Sequence, residues 1–137
     1  DTTIPAKDAA TAYNNVIKNH FMGEEPIFDL ILLGMGDDAH TASIFPNTEL
    51  VKQTSATIDS VFVEKLDTFR ISFTAPLINM AKNIAFITFG DGKANALKHV
   101  IADEEKNYFV YPAQLIAPKN GNLDWFVDVK AAALLPK

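Results

Sequence analysis

The chain has 137 residues, 12 basic against 17 acidic side chains for a formal net charge of −5, and no cysteine to supply a disulfide, a thiolate nucleophile or a Cys-ligated metal. At 48% hydrophobic and 21% charged it has the make-up of a globular protein able to bury a core. No block of Lys or Arg stands out, which argues against nucleic acid or an anionic membrane as partner but leaves room for a small anionic substrate held at a local positive site.

In chain order the pattern alternates between helix and strand. Residues 6–21 place Ala9, Ala10, Tyr13, Val16 and Ile17 at helical spacing, and Gly23 and Pro26 end that helix. Residues 28–33 (FDLILL) form a short apolar run stopped by Gly34, the pattern of a strand buried on both faces. A short helix is expected over 39–45, stopped by Pro46, and a loop over 47–55. Residues 60–64 and 69–74 read as strands with Asp67 and Thr68 in the turn between them. Pro76 suits the first turn of a helix reaching about Lys82. Residues 84–89 are a further buried strand closed by Gly90, 92–102 a helix, 123–129 a last strand and 130–135 a terminal helical turn. No apolar run is long enough to span a bilayer, and there is no internal repeat or dividing linker. The expectation is a single α/β domain over residues 1–137, Rossmann-like, with a mainly parallel sheet and flanking helices on both faces. Strand order is beyond the sequence. The first residue is Asp1 rather than Met, so a fragment or processed product is expected, with the cytoplasm as default location.

The most informative segment is residues 28–46, FDLILLGMGDDAHTASIFP. In open α/β sheets ligands bind beyond the carboxyl ends of the strands, and a Gly-rich turn there presents backbone N–H groups. Gly34 and Gly36 allow tight backbone geometry, and Asp37, Asp38 and His40 gather at the mouth. Residues alone leave three readings. One is a tight turn whose Asp residues cap a helix, with His40 as a satisfied partner. A second is dinucleotide binding, since Gly34-x-Gly36-x-x-Ala39 fits the fingerprint and Asp59 lies about twenty residues on. Two adjacent carboxylates facing a pyrophosphate, and Pro46 cutting the helix short, weigh against it. The third is acid–base catalysis, with His40 as proton carrier and a nearby carboxylate orienting its ring.

Residues 34–46, G-M-G-D-D-A-H-T-A-S-I-F-P, resemble the signature of the 6-phosphogluconolactonases, G-M-G-x-D-G-H-T-A-S-L-F-P. Downstream, FRISFT with Pro76-Leu77-Ile78-Asn79, then Gly90-x-x-Lys93-Ala94, then PAQLI, Leu123-x-Trp125-Phe126-x-Asp128 and Ala131-Ala132 are similar to further family segments in the same order. Ala39 departs from the family's Gly; a helical backbone there would make the change free, and that is the expectation. The family's upstream half, with a G-G-S-T-P-like phosphate loop and an acidic–Arg segment, has no counterpart in these residues, so a partial domain lacking its N-terminal half is expected, and the fragment alone is open to being inactive.

The resemblance implies hydrolysis of 6-phospho-D-glucono-1,5-lactone to 6-phosphogluconate in the oxidative pentose phosphate pathway. It implies His40 as general base, Asp38 orienting the imidazole, and N–H groups around Gly34 and Gly36 near the oxyanion. Lys93 opens a helix after a buried strand, where an anion is favoured; the G-x-x-K-A match implies contact with the substrate's phosphate or carboxylate. Arg70 suits phosphate or a structural ion pair equally. No cofactor or metal is expected: Asp37, Asp38 and His40 are three ligands within four residues, which rarely converge without a fourth. Ser43, three residues after His40, would share its helical face, but no nucleophile elbow surrounds it. His20 and His99 read as structural or surface residues, and Trp125 and Phe126 as core. Two other readings stand beside this one: a glucosamine-6-phosphate deaminase-like isomerase, whose G-x-D-G-H turn continues differently, and a non-catalytic sugar-phosphate-binding fragment. An exposed apolar sheet edge leaves a homo-oligomer open.

Overall fold

The chain is described by a computed structural model over residues 3–136. Helix α1 (Ala6–His20) forms where the periodicity places it, turning Ala10 and Ile17 inward. Strands β1 (Ile31–Leu33), β4 (Asn83–Thr88) and β5 (Asn122–Val127) make a parallel sheet in the order β1-β4-β5. Strands β2 (Ile58–Val63) and β3 (Thr68–Phe73) pair separately as an antiparallel ribbon in continuous register from Ile58↔Phe73 to Val63↔Thr68. Between ribbon and sheet lies the single-turn helix α2 (Ala75–Ile78), begun by Pro76; helix α3 (Ala94–Ala102) follows β4 through a tight turn, Asp91–Lys93. No helix among the described residues is long and apolar enough to cross a membrane.

One face of the sheet holds the core. Ile84 and Phe86 of β4 and Leu97 of α3 are fully buried, and Trp125 of β5 lies flat on Phe86 at 3.9 Å between ring centres. Thr88, at the end of β4, is buried, and its hydroxyl finds no hydrogen-bond partner among the described residues. The other face is bare. Leu32, Ile87 and Phe126, which the register places on one side, are 61%, 43% and 57% exposed. The expectation of helices over both faces therefore fails in detail: α3 covers one face, whereas α1 packs on the ribbon. Phe126 is correspondingly not core. The expected six-residue first strand is also shorter, because the carbonyls of Phe28 and Asp29 accept from Lys82 N and the Asn83 side chain, at 2.9 Å each, outside the ladder.

The expected helix over 39–45 does not form. Ala39 (φ 61°), Ala42 (φ 50°) and Asn47 (φ 60°) are left-handed, and Thr41 and Ile44 form an isolated bridge. Thr41, fully buried, donates its hydroxyl to the Gly34 carbonyl at 2.9 Å, the kind of local bond that competes with helix. Ala39 thus sits where the backbone favours glycine, and the expectation of a helical Ala39 is corrected. An L-residue in that region costs about 1–2 kcal/mol, partly offset by the burial of its methyl group and by the smaller entropy an alanine loses on folding. Ser43 consequently shares no helical face with His40.

Candidate functional site

The turn that follows β1 is knotted together by short backbone bonds: Gly36 N–H donates to the His40 carbonyl at 2.9 Å, and Ala39 N–H to the Gly36 carbonyl at 3.1 Å. This folds the chain back so that the His40 ring lies directly over Gly36. A Cβ on Gly36 would collide with the ring's Nδ1 and Cε1 and with the Asp38 carboxylate. Gly34 is different: its φ is not positive and a Cβ there would meet nothing. Of the two glycines expected to permit tight geometry, Gly36 does so through close approach, and Gly34 lines the cavity without needing to be glycine for backbone reasons.

His40 is held on two sides. Its Nδ1 lies 2.6 Å from Asp38 Oδ1, an oxygen that also accepts the His40 backbone N–H at 3.2 Å. Phe45 stacks on the ring at 4.0 Å and 19°. The other carboxylate oxygen, Oδ2, accepts from Lys65 Nζ at 3.1 Å; Lys65 reaches in from the 3₁₀ turn Glu64–Leu66 between β2 and β3 and lies 3.8 Å from Asp37 as well. Burial works to raise the Asp38 carboxyl, yet the bonds from the His40 ring and backbone and from Lys65 together hold it below its ordinary value of 3.8. An ionised carboxylate accepts only, so Nδ1 carries the proton and Nε2 is the nitrogen left free for chemistry.

His40 opens onto a cavity of about 640 Å³ beyond the end of β1, lined also by Gly34, Gly36 and Ser43 of the turn, Ile71, Ser72 and Phe73 of β3, and Lys93. The Ser72 hydroxyl accepts the Ser43 N–H at 3.0 Å, joining ribbon to turn. Lys93 comes from the turn that starts α3. That turn is fixed by Gly90, at φ 93°, whose N–H donates to Asp128 Oδ1 at 3.0 Å; the same oxygen accepts from Ala131 N–H at 2.8 Å. The Ala131 and Gly90 N–H groups hold the Asp128 carboxyl below the usual range. His40, Gly34, Gly36 and Lys93 therefore line one cavity, and Asp38 joins them through its bond to the His40 ring.

Arg70 is not. It is exposed on β3, it does not line this cavity, and among the described residues it makes no ion pair. Asp37 turns outward towards Lys65, and Asp59 accepts from Gln53 at 2.9 Å, away from the turn. Among the described residues no three His, Asp or Glu side chains are grouped to hold a metal ion. His99 bonds Asp103 at 2.9 Å and stacks on Tyr111 outside the cavity. Lys65 and Ser72 escaped the sequence reading because they lie 25 and 32 residues beyond His40 and reach it only once the ribbon has paired.

Residues 1–125 match the family described as glucosamine-6-phosphate isomerases/6-phosphogluconolactonase. A human 6-phosphogluconolactonase is 37% identical over 134 residues, 96% of this chain and 51% of the human protein. One from Synechocystis sp. is 41% identical over 130 residues, 93% of this chain and 52% of the relative. The solved 6-phosphogluconolactonase of Trypanosoma brucei aligns over 96% of this chain and 54% of its own, with TM-score 0.81; at 24% identity that likeness speaks for the fold alone. The chain spans about half the length of the curated relatives it matches.

Proposed function

Since the chain belongs to the glucosamine-6-phosphate isomerase/6-phosphogluconolactonase family, we propose that it carries the base and part of the substrate cradle of a 6-phosphogluconolactonase. The observation that carries this reading is the Asp38–His40 pair at 2.6 Å, whose imidazole shares one cavity with Lys93.

A lactone is an activated ester, so its hydrolysis needs a base for water and a stabilised oxyanion. In the proposed sequence Nε2 of His40 takes a proton from water as the oxygen bonds to C1 of the lactone. The carbonyl electrons move to its oxygen, and N–H groups of the glycine turn other than those of Gly36 and Ala39, which are engaged within the turn, stabilise it. Collapse breaks the bond from C1 to the ring oxygen, and the imidazolium returns its proton to that oxygen. Asp38 stays ionised throughout, stabilising the imidazolium and fixing the tautomer. Lys93 supplies positive charge for the substrate's phosphate or, as it forms, the carboxylate. Arg70 serves the phosphate only if the rest of the relatives' length brings substrate to the exposed side of β3. Neither a metal nor a cofactor enters this scheme, and the same reading places the protein in the cytoplasm, acting on a phosphorylated sugar lactone.

The test is substrate choice. Freshly generated 6-phosphogluconolactone and glucosamine 6-phosphate are offered to a protein of the relatives' length that carries this chain. Lactone loss above the spontaneous rate, without ammonia release, is the expected result. Ammonia release from the amino sugar would assign the isomerase branch of the family, and no turnover of either would leave a sugar-phosphate-binding role.

A further inference from the structure

Asp38 is gripped from both ends. Oδ1 faces His40, while Oδ2 is held at 3.1 Å by Lys65 from the ribbon turn, and Lys65 also stands 3.8 Å from Asp37. We propose that Lys65 is a positioning residue for the Asp38–His40 pair: it holds the carboxylate in the orientation that serves the imidazole, and its positive charge disfavours the imidazolium. The proposal rests on the reading of His40 as the working base.

Two physical consequences follow from the geometry. First, a carboxylate with one oxygen bonded and the other free rotates easily, exchanging its oxygens and loosening whatever they hold. Lys65 removes that freedom. Second, the charges around His40 are nearly balanced. Asp38 bonds the ring, Asp37 of the same turn stands further out beside Lys65, and Lys65 comes from the ribbon and Lys93 from the turn before α3; the β3 residues lining the cavity, Ile71, Ser72 and Phe73, do not titrate. Taking away Lys65 leaves two carboxylates against one lysine. That excess of negative charge favours the imidazolium, and a base that is already protonated cannot accept a proton from water. Lys65 also ties the site to the ribbon, which supplies part of the cavity wall.

The Lys65 side chain is 61% exposed, so its replacement leaves the core untouched. The measurement is an NMR titration of the His40 ring Cε1–H in this chain, identified by its disappearance in His40→Gln, for wild type, Lys65→Met and Lys65→Arg. Lys65→Met is expected to raise the titration midpoint by about half a pH unit, the scale of an exposed ion pair, and the increase should shrink in 1 M salt, where the Debye length falls to about 3 Å. Lys65→Arg should restore the wild-type midpoint. An unchanged midpoint in a folded Lys65→Met protein, whether or not its melting temperature falls, overturns the proposal, because a merely structural lysine would move stability and not this titration. Failure of the underlying reading looks different: a His40→Gln protein that hydrolyses lactone at the wild-type rate overturns the base assignment itself.

Discussion

Gly36 and Asp38 are the two residues on which the placement of His40 depends. Gly36→Ala puts a methyl group where the ring lies, so the imidazole is pushed aside; a displacement of about 1 Å costs roughly a hundredfold in rate. Gly34→Ala, which meets open space, should leave the rate within about twofold of wild type, and lactone turnover of the two variants compares them directly. Asp38→Asn keeps the shape and loses the charge. Because the folded carboxyl titrates below its ordinary 3.8, its contribution to stability is complete above that value and is lost as pH falls through the lower, folded one. Urea unfolding should therefore show Asp38→Asn about 1 kcal/mol less stable near neutrality, with the gap closing only in strong acid.

At the scale of elements, the turn Asp91–Lys93 is held by Asp128 at the far end of β5, through N–H groups of Gly90 and Ala131. Asp128→Ala should lower the melting temperature and raise KM more than it lowers kcat, since Lys93 is loosened while His40 is not touched; steady-state kinetics separate the two. Much of this level was legible in the sequence. The helix at α1, the strands at β4 and β5, and the turn carrying Lys93 follow from periodicity and from Gly90. What could not be read was the segment around Ala39: its residues have acceptable helix propensity, and buried Thr41 bonding to Gly34 and left-handed backbone at Ala39 and Ala42 override it. Lys65 was equally hidden, since only the pairing of β2 with β3 carries the turn at Lys65 over to Asp38.

For the molecule as a whole, the short apolar runs at 28–33 and 84–89 predicted strands buried on both faces, and apolar residues do lie on both, yet only one face is packed. Phe86→Ala should cost about 3–5 kcal/mol in denaturant unfolding, whereas Phe126→Ser, on the bare face, should cost under about 1 kcal/mol in the same chain. The placement of the motif residues was more legible than their support: His40, Gly36 and Lys93 line one cavity and Asp38 bonds the His40 ring, while Arg70 stays outside it. The central claim is that His40 moves the proton in lactone hydrolysis. Its most direct test is the rate of 6-phosphogluconolactone hydrolysis, corrected for the spontaneous reaction, by a protein of the relatives' length carrying this chain, as wild type and as His40→Asn. A fall of about 10²- to 10⁴-fold in kcat, with KM little changed, is the predicted result; equal rates in the two proteins would contradict it.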